Sequence, residues 1–413
     1  MGAARVEHPA LRQPISLIVD DPMPGYNPAH FHSGFRLGPL RIPPSLIDRF
    51  ADLVEETGIQ GKFSVVPYPF GFGRVDREVQ GVSQADLRHF LEVVRERIAP
   101  HMDITPEVLT HWNALDLQTG RLLPLWEHLW SREQTHDTLA PYLSLALEIL
   151  NGAGLPCSGM TSPWNFGEAI EATYAEALLG AQRAVNDRRL TWYFLHSDPQ
   201  GLNVTPRLQI LRPARAEAVV SIVCCDGVDF GQPLWRGEDA RPDDLIGEDG
   251  DGGRLAQVIL AGGPAVFHTH WQTIFGFGTA RGLDALRAIA GRVQARFADR
   301  VAWVGCRDLA EYAAAAAAVE IAPAGSHGAR SEPEQDAEGA MRSAWRVTSP
   351  FRCRRFTLSL ACPSAVRKVR VDETPIRRAA SRADLEERTY LLEQERLYVC
   401  WPLEPDQILS ISY

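Results

Sequence analysis

From residue 14 to about 318, short apolar runs alternate with stretches of helical periodicity. Ile15-Ser16-Leu17-Ile18-Val19 reads as a buried strand that ends in Asp20-Asp21. Leu46, Ile47, Phe50, Leu53 and Val54 then fall at helical spacing, which predicts a helix over 44–58 closed by Gly58. A strand is predicted over 61–67, and a helix over 83–98 with Ser83 as its N-cap. The alternation continues with helices over 141–151, 169–183 and 282–297, strands over 157–161, 190–196, 218–226, 264–268 and 301–304, and a last helix running into the Ala313–Ala318 tract. About seven strand–helix units in one run predict a parallel sheet closed as a barrel, with helices outside it.

Beyond residue 320 the pattern changes. Residues 321–342 are rich in Pro, Gly, Ser, Ala and acidic side chains, and read as a linker. Residues 343–413 alternate with period two in four segments, which predicts a small all-β, sandwich-like domain. The expected organisation is α/β: a (β/α) barrel over 1–320, the linker, and the C-terminal β domain.

Composition narrows the classes of function. The 413 residues carry a net charge of −10, so no basic surplus exists to neutralise phosphates and nucleic acid is not an expected partner. No run of 18 apolar residues predicts a membrane span, and the first twenty residues lack the apolar stretch of a secretory leader. Seven scattered cysteines form no C-x-x-C pair and read as reduced thiols, so a cytoplasmic protein is expected. Neither G-x-G-x-x-G after a strand nor G-x-x-x-x-G-K-[ST] occurs, so no nucleotide cofactor is expected. Nothing in the pattern fixes an oligomeric state.

The polar clusters fall at predicted strand ends, where parallel barrels carry their chemistry. Asp20 and Asp21 are adjacent carboxylates, which a metal or a raised pKa would explain, the other reading being a turn with a helix cap. Glu107 and His111 are four apart, which on a helix puts them on one face as a pair of metal ligands. The same segment, starting Thr105-Pro106-Glu107, also resembles an ordinary helix start. His268 and His270 point to one side of a strand, suited to proton transfer or to a metal. His30 and His32 lie in a loop after the first strand, lining the site or simply exposed. Asp226 and Asp229 are placed to orient a catalytic histidine, or to make a turn. Trp112, Trp164 and Trp271 sit beside these clusters, and with Asn113 they are candidate contacts for a sugar face, although most tryptophans are core.

The order of these clusters resembles that of the polysaccharide deacetylase (chitooligosaccharide-deacetylase-like) superfamily, and the segments GKFSVVPYPFG, ITPEVLTHWNALD, TSPWNFG and HTHWQ look like a poorly characterised bacterial branch of it. The resemblance covers roughly residues 14–318. It implies a distorted seven-stranded (β/α) barrel and a metal-dependent deacetylase acting on an acetylated sugar. It implies Asp20 as general base, Asp21 as a metal ligand with His111 and Glu107, and His268 or His270 as general acid. Zinc is the divalent ion it implies. Glu107 stands where the family has a histidine, and Ser162-Pro163-Trp164 keeps the proline of the third motif without its arginine. A glycoside hydrolase using paired carboxylates, and a non-catalytic sugar-binding protein, are the competing readings.

Overall fold

A computed structural model describes residues 4–27, 40–227, 229–236, 238–324, 334–335, 341–362 and 365–413. His30 and His32 lie outside the described residues. The chain is mixed α/β with several sheets and a strand-rich C-terminal region. It divides into two compact units, one of Pro14–Ile210 and Ala218–Ala310, the other of Met1–Gln13, Leu211–Glu217 and Glu311–Tyr413.

In the first of these, the parallel strands are β1 (Gln13–Asp20), β2 (Gly61–Val65), β3 (Met102–Pro106), β4 (Gly159–Thr161), β5 (Leu190–Ser197), β6 (Glu217–Cys224) and β7 (Ala265–His270). One sheet runs β7-β1-β2-β3, and a second runs β6-β5-β4 with Arg207–Arg212 at its edge. Two links join them: Glu107 bridges Thr161 in parallel, and the Cys225 amide donates to the Val266 carbonyl at 2.6 Å. Helices α1 (Ser45–Thr57), α2 (Gln84–Val93), α3 (His136–Gly152), α4 (Glu171–Asn186) and α5 (Arg281–Phe297) follow the predicted periodicity. Gly58 closes α1 at φ 68°, and Ser83 Oγ accepts the Asp86 amide at the start of α2.

Strand alternation assigns the two faces of this sheet different chemistry. Ile15, Leu17 and Val19 of β1, Phe63 and Val65 of β2, Met102 and Ile104 of β3, and Ala265 and Phe267 of β7 join one apolar core with the helices. The alternate positions, Ser16, Asp20, Lys62, Ser64, Thr105, His268 and His270, therefore point to the opposite face. Gly61 lets β1 and β2 approach, since a Cβ there would meet the Leu17 carbonyl oxygen at 1.8 Å.

In the other unit, one sheet orders Arg5–Glu7, Cys353–Ala361, Arg396–Leu403, Thr389–Glu393 and Arg377–Arg378; another contains Glu320–Pro323, Met341–Thr348, Asp406–Ser412 and Lys368–Val371. Two details differ from the sequence reading. The N-terminal strand Arg5–Glu7 pairs with Cys353–Ala361, because its backbone groups complete the edge of that sheet. The segment read as a linker carries strand pairing at both described ends, Glu320–Pro323 and Glu334–Gln335 each adding to Met341–Thr348.

Candidate functional site

A cavity of about 420 Å³ opens at the C-terminal ends of these strands. Asp20, Asp21, Glu107, His111, Trp164, His268 and His270 all line it. Asp20 and Asp21 are neighbours, and a regular strand would send them to opposite faces. Asp21 instead takes φ 68°, a left-handed conformation that aspartate tolerates better than most residues, and both side chains reach the cavity.

Glu107 and His111 arrive by a different route from the helix expected. Glu107 directly follows β3, and the chain then turns through Val108 (φ 41°) and His111 (φ 51°). The helix fails because Glu107 is held by backbone pairing: its amide donates to Val65 O at 3.2 Å, and the Val108 amide to Thr161 O at 3.0 Å. The turn still brings the two side chains together. His111 Nε2 lies 2.5 Å from Asp21 Oδ1 and 3.5 Å from Glu107 Oε1, and Glu107 Oε2 accepts the Asp21 amide at 2.7 Å. Gln272 Nε2 donates to Asp21 Oδ2 at 2.5 Å.

All three side chains are buried, and their ionisation is strongly perturbed. Burial raises the Asp21 carboxyl, but the charge and hydrogen bond of His111 outweigh it and hold the group well below the usual carboxylate range. Burial and the Asp21 charge push Glu107 up to about 8. Burial opposes protonation of His111, yet Asp21 and Glu107 raise it to about 9. At neutral pH these shifts leave Asp21 anionic, Glu107 protonated and His111 cationic, so the set would hold a cation by giving up the protons of Glu107 and His111. His111 Nδ1 is buried with no hydrogen-bond partner among the described residues.

The histidines of β7 form two parallel pairs with aspartates. Asp226 accepts the His268 amide at 3.0 Å and contacts its Nδ1 at 3.0 Å. Asp229 does the same for His270, at 3.0 and 2.8 Å, and also accepts the hydroxyls of Thr269 and Thr273 and the Gly231 amide. Each aspartate engages Nδ1, and Nε2 lies on the opposite edge of each ring. Burial opposes protonation of His268, but Asp226 raises it; Asp229 and Asp21 likewise push His270 up to about 10 against burial.

Several residues at the site had no signal in the sequence pattern. Lys62 is fully buried on β2 and donates to Asp20 Oδ1, to Ser64 Oγ at 2.7 Å and to Thr161 Oγ1 at 2.6 Å, with its ammonium 5.5 Å from the Phe194 ring centroid. Glu127 is fully buried and accepts the amides of Thr110 and His111, each at 3.0 Å, and the Tyr142 hydroxyl at 2.7 Å, so it holds the turn that presents His111. Cys224, Asp226 and His268 also bring potential donor atoms within 4.8 Å of one another, but burial drives the Cys224 thiol far above its ordinary range, away from the thiolate a metal needs.

Four expected substrate contacts sit elsewhere. Trp271 is 1% exposed and packs edge-on against Phe50 and Phe63, a core residue of the apolar face. Asp226 does not line the cavity and contacts Nδ1 of His268, which does. Trp112 and Asn113 do not line the cavity; Trp112 stacks on Trp126 at 5.7 Å, and Asn113 begins a hairpin strand. Trp164 does line it, at φ 50°, with its ring 4.6 Å from that of His111.

No family model and no curated protein matches the chain. Among solved structures it is similar to a mutant of a CE4 family pseudoenzyme, at 10% identity over 74% of this chain and 69% of that one, with a TM-score of 0.32. It is also similar to a glycoside hydrolase family 30 subfamily 8 xylanase from Clostridium acetobutylicum, at 10% identity over 99% of both chains and a TM-score of 0.31. A family 30 endoxylanase from Clostridium papyrosolvens gives 9% identity over 100% of both chains and a TM-score of 0.34. At these TM-scores the likenesses carry no argument about the chemistry of this chain.

Proposed function

We propose that this cavity belongs to a metal-dependent hydrolase that removes an acyl group, most simply acetyl, from a carbohydrate, on a distorted ring of seven parallel strands. One observation carries the reading: Asp21, Glu107 and His111 offer ligand atoms within 4.8 Å of one another on the floor of a cavity that also presents two carboxylate-backed histidines. The ring is supported by the two single hydrogen-bonded links between the sheets. The carbohydrate is supported by the motif order of the sequence and by the exposed Trp164 ring beside His111.

The residues fit a divalent cation. Oxygen and imidazole donors with an open cavity side suit zinc or a similar ion, and Gln272 and the Asp21–Glu107 backbone contact orient the carboxylates. When bound, such an ion polarises the acyl carbonyl and acidifies water. The chain's own residues do the rest. Asp20, fixed by its contact with Lys62, accepts a proton at its carboxylate. His268 or His270, protonated against burial by its aspartate, donates from Nε2 to the departing oxygen or nitrogen. Trp164 walls one side of the cavity and limits water there.

The test is elemental analysis of the purified full chain beside Asp21→Ala and His111→Ala. About one zinc, cobalt, nickel or manganese per chain, lost in both folded variants, with acetate released from acetylated sugars, is the expected result. A chain that binds none of these ions, even after incubation, overturns the reading. Cleavage of glycosidic bonds without metal would assign the opposed ionisation of Asp21 and Glu107 to acid–base catalysis instead.

A further inference from the structure

Next to the cavity the protein exposes apolar surface that folding does not explain. Residues Asn113–Asp116 and Arg121–Trp126 form a hairpin, paired Leu115 to Leu122 and Asp116 to Arg121. Solvated hairpin faces are normally polar. Here Leu117, Leu122, Leu125 and, just beyond it, Leu129 are exposed, as are Phe72 and Trp164. These six are each between 37% and 50% exposed and make up six of the ten exposed large apolar side chains among the described residues. Three of them join one line of contacts: Leu122 fills the space over Gly71, beside Phe72, Phe72 contacts Phe70, and an aromatic row runs Phe70, Trp112, Trp126, Trp164 at centroid spacings of 5.8, 5.7 and 5.2 Å. The row ends at Trp164, which is also a wall of the cavity.

Resting on the reading above, we infer that the substrate is an amphiphile: a sugar-sized polar head in the cavity carrying an alkyl or acyl chain that lies along the leucines of the hairpin. Continuity argues for this occupant, because the patch and the cavity share the Trp164 ring. The size of the patch argues the same way. Even taken together, the six half-exposed side chains present no more than roughly 500 Å². A stable dimer needs about 800 Å² from each partner. Side-chain chemistry favours a hydrocarbon over a run of further sugar units, since pyranoses want flat rings with hydrogen-bonding partners, and Trp112 and Trp126 stack on each other. Branched aliphatic side chains suit a hydrocarbon chain.

The experiment measures binding to the full-length protein, by calorimetry and by tryptophan fluorescence, of methyl and octyl glycosides of N-acetylglucosamine below the micellar concentration. Fully buried methylenes strengthen binding about fourfold each, so even partial contact predicts at least tenfold tighter binding of the octyl compound. A Leu122→Ser/Leu125→Ser variant is expected to bind both equally while keeping the wild-type unfolding midpoint. Equal affinity of the wild type for both compounds, failure to bind either, or a chain-length effect that survives in the variant would overturn the inference. So would a wild-type dimer that the variant dissociates, or attachment to phosphatidylcholine vesicles in place of the monomeric glycoside. Because binding is read without turnover, chain-length dependence in a protein that holds no metal would sink the hydrolase reading alone, whereas deacetylation indifferent to chain length would sink this one alone.

Discussion

Replacing Lys62 by methionine isolates the energetics of the cavity floor. Methionine keeps much of the volume and removes the charge. The Asp20 carboxylate, 6% exposed, would lose its ion-pair partner, and Ser64 and Thr161 would lose a donor. Removing one member of a buried ion pair costs about 3–5 kcal/mol, because the remaining charge stays buried without compensation. For a unit of this size that corresponds to a fall in thermal midpoint of roughly 10 °C. Asp20→Asn in the wild-type background strands the ammonium instead and is expected to cost a similar amount. The double variant Asp20→Asn/Lys62→Met removes both charges and is expected to recover most of the loss. The assay is a double-mutant cycle on midpoints from circular dichroism and calorimetry, in the presence of chelator so that metal release does not contribute. A loss below about 2 °C in Lys62→Met, or strictly additive losses in the double variant, would refute the claim that this pair neutralises the floor.

Three other outcomes are expected. Gly61→Ala places a methyl group 1.8 Å from the Leu17 carbonyl oxygen, where backbone must move, so the variant should lose several kcal/mol or fail to accumulate as folded protein; a near-wild-type midpoint would contradict the β1–β2 contact. His270 is raised from 6.5 to about 10, so its stabilising contribution is complete below about pH 6.5 and is lost as pH rises toward 10; the midpoint should fall over that range, and fall less in His270→Gln, while a nitrogen-detected titration showing His270 neutral at pH 8 would refute it. All seven cysteines are buried and none is in a disulfide, so Ellman's reagent should react slowly with the native chain and report seven thiols after denaturation; rapid reaction of any one in the native state would contradict its burial.

What could be read from the sequence followed from periodicity. Alternating runs gave the helices and most parallel strands, because burial on two faces of a sheet leaves a strong apolar signature. The carboxylates at 20 and 21 and the histidines at 268 and 270 stood out because they interrupt that signature at strand ends. Lys62 did not, because a single lysine within Gly61–Val65 looks like a solvated break, and only the three-dimensional alternation turns it inward beside Ser64. Glu127 and Tyr142 were equally hidden: they act on His111 from 16 and 31 positions away through backbone amides and a shared hydrogen bond, a relation with no period. The helix expected at Glu107–His111 shows the limit of spacing arguments. A separation of four residues juxtaposes side chains on a helix, but it does so here through a turn with positive φ at Val108 and His111, anchored by pairing to Val65 and Thr161. The same ligand geometry therefore has two backbone solutions. The one used places Glu107 just past β3, where its carboxylate accepts the Asp21 amide, so the three donors meet through the turn and this hydrogen bond, with helical periodicity playing no part.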